Sequence, residues 1–221
     1  MRSRHDLRYA SGIFFISIAV GIASASYMSE VAYIYHASLY MYPLLWFSAL
    51  ALSIYLFRLK NPDIFKAIGI RFRQSTSWPR WAKAVNGLAW ALPFLLIAMY
   101  PADYPYLILL GIGCGNISTY ILSRITESRD RYGIRRDEEE RKKKEEKEGW
   151  EEHGKERIGA DGNLGKEQFI VGLVSSSLLP VAMLVGSSSL LPVDLLHMLS
   201  RLFIAVAYAS GGIYALISDG C

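Results

Sequence analysis

Gln168-Phe169-Ile170-Val171-Gly172-Leu173-Val174-Ser175-Ser176-Ser177-Leu178-Leu179-Pro180-Val181-Ala182-Met183-Leu184-Val185-Gly186-Ser187 runs for 20 residues without a charge. A helix of about 20 apolar residues crosses a hydrocarbon core about 30 Å thick, so the stretch reads as a membrane span. It lacks the alternating pattern of a membrane β-barrel strand, and in lipid a lone strand would leave its backbone groups unsatisfied. Comparable windows lie near 9–28, 37–57, 83–101, 104–124 and 190–217. The expected fold is therefore all-α: a polytopic integral membrane protein with about six transmembrane helices. Composition agrees, since 52% of the 221 residues are hydrophobic and the 20% that are charged are almost absent from those windows.

Orientation follows from the cations, because Lys and Arg accumulate in short cytoplasmic loops. Arg2, Arg4 and Arg8 precede the first span, and seven more cations from Arg58 to Lys83 separate the second from the third. Thirteen lie between Arg124 and Lys166, so 23 of the 24 Lys and Arg fall on one side. Both termini are expected to be cytoplasmic, in a bacterial or archaeal cytoplasmic membrane as the simplest setting. A cleaved signal peptide ending near Ala23-Ser24-Ala25 is the competing reading of the start. The first apolar stretch exceeds the usual 7 to 15 residue core of such a signal, which favours a retained helix.

Short outer connections make spans one and two, three and four, and five and six antiparallel neighbours, giving three hairpins. The chain divides into helices 1–4 over 1–124, a charged cytoplasmic loop over 125–167, and helices 5 and 6 over 168–221. Within the first part, Ile64, Phe65, Ile68 and Phe72 recur at helical spacing behind Asn61-Pro62, which predicts an interfacial helix near 62–72, followed by an interfacial Trp78. In the loop, Glu138–Lys142, Glu139–Lys143 and Glu140–Lys144 are favourable i,i+4 pairs that support a solvated helix without an apolar seam. Its interleaved acids weaken any field from Arg129 to Arg136, so no nucleic-acid partner is expected. Eight of the fourteen tyrosines, among them Tyr33, Tyr40 and Tyr104, crowd the outer side as an interfacial belt, with His36 beside them.

The sixth window holds the remaining cation. At 100° per residue, His197 lies about 60° and Arg201 about 20° around the helix from Asp194, and Ala205, Tyr208 and Gly212 continue the stripe. Entry near Leu190 would set Arg201 about 16 Å along the helix, near mid-membrane, where a charge costs at least about 2.5 kcal/mol and needs a partner. Asp194 is the candidate partner, through His197 or water. In the opposing reading, residues 188–200 form a separate surface helix and Arg201 sits at headgroup depth.

Gly111 and Gly115 form a G-x-x-x-G face suited to close helix packing, as do Ala205 and Gly212 on the sixth helix. Asn116 supplies an amide to the bundle or to a polar path. Pro43, Pro93 and Pro180 fall inside spans two, three and five, where they can free backbone groups.

Cys114 and Cys221 make no CxxC pair or cysteine zinc site, and the histidines are scattered, so no metal or cofactor is expected. No H-E-x-x-H or P-loop occurs, and Ser175 to Ser177 lack a G-x-S-G context. The expected function is a small transporter or channel-like protein for an ion or solute. Asp194, His197, Arg201, Tyr208 and Asn116 would be its pathway. The alternative is a non-catalytic structural or assembly subunit of a larger membrane complex; the expected partners are the lipid bilayer and either further copies of the chain or other membrane subunits. An intramembrane lipid-modifying enzyme or protease comes third.

Overall fold

The computed structural model of the chain describes the backbone of residues 4–38, 40–62, 69, 78–148, 165–188 and 192–218, and the side chains of most of these. Apart from residues 62 and 69, the interfacial helix expected over 62–72 lies outside the described residues, as does the stretch 149–164 of the charged loop. Six helices make up the described chain: α1 (Arg4–Ile34), α2 (Met41–Lys60), α3 (Arg80–Met99), α4 (Tyr104–Glu148), α5 (Lys166–Ser187) and α6 (Val193–Ile217). Each includes a stretch long and apolar enough to cross a membrane. A single 3-10 turn, Pro101–Asp103, joins α3 to α4.

Helix ends follow local chemistry. Helix α1 runs to Ile34, six residues past the expected end at 28, because nothing breaks it before His36. His36 adopts a positive φ of 51°, a left-handed conformation that ends the helix, and its N–H bonds to the carbonyl of Tyr33. Pro192 precedes α6 in extended backbone, and the helix then continues unbroken from Val193 through Arg201 to Ile217. A separate surface helix over 188–200 is thus not what forms. Asn61, expected to open an interfacial helix, closes α2 through bonds to the carbonyls of Phe57 and Arg58. Helix α4 crosses the expected boundary at 124 without interruption, so its apolar and charged parts form one rod about 67 Å long.

The expected hairpin partners, α1 with α2, α3 with α4 and α5 with α6, are in contact, and α1 packs most extensively against α6. The bundle thus has α1 and α6 at its centre, α2 behind α1, and α4 and α5 behind α6, with α3 outside α4. Helices α1 and α6 run antiparallel: Gly12 meets Gly212, Phe15 stacks on Tyr208, and Ile22 shares a cluster with Ile204 and Ala205. Glycine lets these backbones touch, since a Cβ on Gly212 would lie 2.8 Å from the carbonyl oxygen of Gly12.

Gly111 faces Pro93 and Phe94, and Gly115 faces the Trp90 ring, so both line the α3–α4 contact. Gly113, between them, packs on Gly172 and Ser176 of α5. Pro93 and Pro180 sit inside α3 and α5, whereas Pro43 occupies the first turn of α2, where its missing N–H costs no helical bond. Trp78 is buried against Ala82 and Leu122.

Candidate functional site

The α1–α6 seam carries polar groups at three levels with apolar layers between them. Level by level, they run from the tyrosine-rich end, where α1 stops, to the basic end, where it begins.

At the tyrosine-rich end Arg201 is ion-paired with Glu30 of α1, through Nη2 and Oε1. Their side chains are only 12% and 24% exposed. One turn earlier on α6, the His197 ring meets the Tyr104 ring edge-on, with centroids 5.3 Å apart. Tyr104 opens α4, so three helices contribute to this level. In the register that sets Gly12 on Gly212 and Ile22 with Ile204 and Ala205, Ser26, one turn beyond Ile22, falls at the height of Ser200 and Arg201, and both serines are fully buried. Ser200 bonds back to the His197 carbonyl at 2.9 Å. Ser29, beside Glu30, accepts a bond from Trp46 Nε1 of α2 at 3.1 Å, which fixes α2 against this end of α1.

Below it, Ile22, Leu109, Ala182, Ile204 and Ala205 form the main apolar core. The second polar level then follows: the Asn116 side chain stands beside the Tyr208 hydroxyl, and its amide donates to the carbonyl of Ile112 at 2.9 Å. The Tyr208 ring stacks on Phe15 with centroids 5.8 Å apart. Ser175 of α5 is fully buried nearby, one turn from the Val171 that packs with Phe15 and Ala207 in the next apolar layer.

The third level lies at the basic end. Glu167, in the first turn of α5, is 5% exposed. Its Oε1 accepts from Ser11 of α1 at 2.9 Å and its Oε2 from the Gly165 N–H at 3.1 Å. A carboxylate here also complements the positive end of the helix dipole. Gly211 of α6 allows the approach, since a Cβ there would lie 2.8 Å from the Glu167 carbonyl oxygen.

The stripe expected on α6 is therefore divided. His197 and Arg201 belong to one level, Tyr208 joins Asn116 at another, and Ala205 fills the core between them. Asp194 lies in the first turn of α6, and its side chain is outside the described part of the structure. Sequence reasoning named Asp194 as the partner of Arg201; the partner described is Glu30. It also passed over Glu167 and Asn86. Asn86 of α3 accepts from Ser118 at 2.7 Å and Thr119 at 2.8 Å on α4. The available signal for Glu30 was an acid in helical phase with Ile22 and Ser26, in a chain with one cation inside an apolar run. No family model matches the sequence, and no curated protein or solved structure matches it.

Proposed function

We propose that the chain is a small membrane transporter or channel-like protein, and that its ion or solute passes along the seam between α1 and α6. The observation that supports this is the largely buried Arg201–Glu30 pair, whose side chains are 12% and 24% exposed. Two charges held away from water are expensive, and replacing such a pair by apolar packing is often neutral or stabilising. The same seam achieves close contact at Gly12 and Gly212 without any charge. Ionisable residues in an apolar helix bundle characteristically mark ion or substrate pathways. The setting we assign is the lipid bilayer of a bacterial or archaeal cytoplasmic membrane, with the basic end of the bundle cytoplasmic, as the cation distribution implies.

The test is reconstitution into sealed vesicles and measurement of solute-driven current or flux. Arg201→Leu and Asp194→Asn are each expected to reduce flux at least about tenfold. Unchanged flux and stability in both variants would sink the pathway.

A second reading, a structural subunit of a larger complex, draws on the outer helices. Phe47, Leu52 and Leu56 of α2 and Leu88, Leu92 and Leu95 of α3 point outward, a surface that a neighbouring subunit fits as well as lipid does. Purification in mild detergent with mass measurement of the intact assembly separates the two. A stoichiometric set of other proteins supports the subunit, and the chain alone or as a homo-oligomer supports the transporter.

A further inference from the structure

The Glu30–Arg201 contact leaves part of the guanidinium unused. A guanidinium presents five N–H donors in a planar fork and holds a carboxylate best by two parallel bonds. Here Nη2 meets Oε1, while Arg201 Nε is buried and has no hydrogen-bond partner among the described residues. The Ser26 hydroxyl, one turn before Glu30 on α1 and level with Arg201, is fully buried and equally unpartnered. Leaving such groups unmet is costly, and two of them at one level of one seam are a reason to look for a ligand that meets both. Glu30 itself shows which chemistry this guanidinium accepts: a carboxylate.

We propose that this level of the seam binds a small monocarboxylate anion, which displaces Glu30 from Arg201. The anion's two oxygens engage Nη2 and Nε together, and the Ser26 hydroxyl donates to one of them. Displacement alone would leave two carboxylates facing one cation. Glu30 therefore takes up a proton as it leaves Arg201, so anion and proton bind together and the net charge of the site is unchanged. Among the described residues, Arg201 of α6 pairs with Glu30, His197 lies one turn before Arg201 with its ring against Tyr104 of α4, and α2 faces this end of α1 with Trp46. Asp194 lies two turns before Arg201. The role of the site in transport rests on the reading above; its existence as a binding site does not.

The experiment is calorimetric titration of the full chain in lipid nanodiscs with acetate, propionate and benzoate. Chloride and inorganic phosphate serve as controls, and buffers of different ionisation enthalpy count the protons taken up. The expected result is carboxylate binding with about one proton absorbed per anion and no binding of the controls. Glu30→Gln removes the competing carboxylate, so it is expected to bind about tenfold more tightly and without proton uptake. Arg201→Lys loses the planar fork and is expected to bind at least about tenfold more weakly. Absence of carboxylate binding in both the wild type and Glu30→Gln overturns the proposal, as does equal binding of phosphate or chloride. Carboxylate binding without flux in vesicles supports the site and counts against the transporter. Flux of another solute with no carboxylate binding does the reverse.

Discussion

Arg201 of α6 and Glu30 of α1 form an ion pair across 171 residues of sequence, closing the first helix onto the last. Because both side chains are mostly buried, removing one partner leaves an uncompensated charge in the seam. Arg201→Leu alone is expected to destabilise the fold by about 3 to 5 kcal/mol. The double variant Glu30→Leu, Arg201→Leu buries no charge and is expected to recover most of that loss. Unfolding in mixed micelles with increasing denaturing detergent measures the wild type, the two single variants Glu30→Leu and Arg201→Leu, and the double variant. Additive losses in the double variant would show that the two residues do not act as a pair.

Much of the helical architecture was legible because each apolar helix is a local event. A run such as 168–187 declares itself through the thickness of a hydrocarbon core, with no need of distant residues. Arg201 was legible for the same reason, as a lone cation within an apolar run. Glu30 was not, because it follows the first apolar window, in a tyrosine-rich segment that reads as connection. Only the continuation of α1 to Ile34 brings its side chain to face α6. Glu167 was hidden in the same way: it looks like the end of a charged loop, and its partner Ser11 is 156 residues away. Pairings over such distances leave no periodicity along the chain, so helix existence could be read locally and partner choice could not.

Glycines that look alike in sequence should respond oppositely to alanine. A methyl group on Gly212 would lie 2.8 Å from the Gly12 carbonyl oxygen and 2.7 Å from the Ile16 side chain, so α1 and α6 would have to separate. Gly212→Ala is therefore expected to cost about 1 to 3 kcal/mol, the range for overpacked contacts. Gly87 of α3 has nothing within 4 Å of such a methyl. Gly87→Ala is expected to be neutral or stabilising by up to about 1 kcal/mol through helix propensity alone. The same unfolding assay checks both, and a loss at Gly87 as large as at Gly212 would contradict the packing argument.

Asn86 should hold α3 to α4. Its Oδ1 accepts from both Ser118 and Thr119, and Thr119 also accepts from Trp90 Nε1 at 3.3 Å. Hydrogen bonds between helices in membranes average about 0.6 kcal/mol with a maximum of about 1.7 kcal/mol, and Asn86→Leu removes up to two, each hydroxyl then turning its single proton to the Gly115 carbonyl. An expected loss of about 1 to 2 kcal/mol follows from those values. Trp90 fluorescence should also change, since its indole loses the hydroxyl orientation that Asn86 imposes. A variant with unaltered stability and unaltered Trp emission would mean that the network is incidental to the α3–α4 contact.

Tyr208→Phe tests the middle polar level with the least disturbance of packing. The substitution keeps the ring that stacks on Phe15 and removes only the hydroxyl that stands beside Asn116. Asn116 keeps its bond to the Ile112 carbonyl, so stability is expected to change by less than about 1 kcal/mol. Transport is expected to respond more strongly if the solute or a proton passes this level, because the hydroxyl is the polar group that α6 offers there. Vesicle flux reduced at least about tenfold in a protein of near-normal stability would separate a pathway role from a packing role. Near-normal flux would confine the pathway to the Arg201 level and make Tyr208 a packing residue.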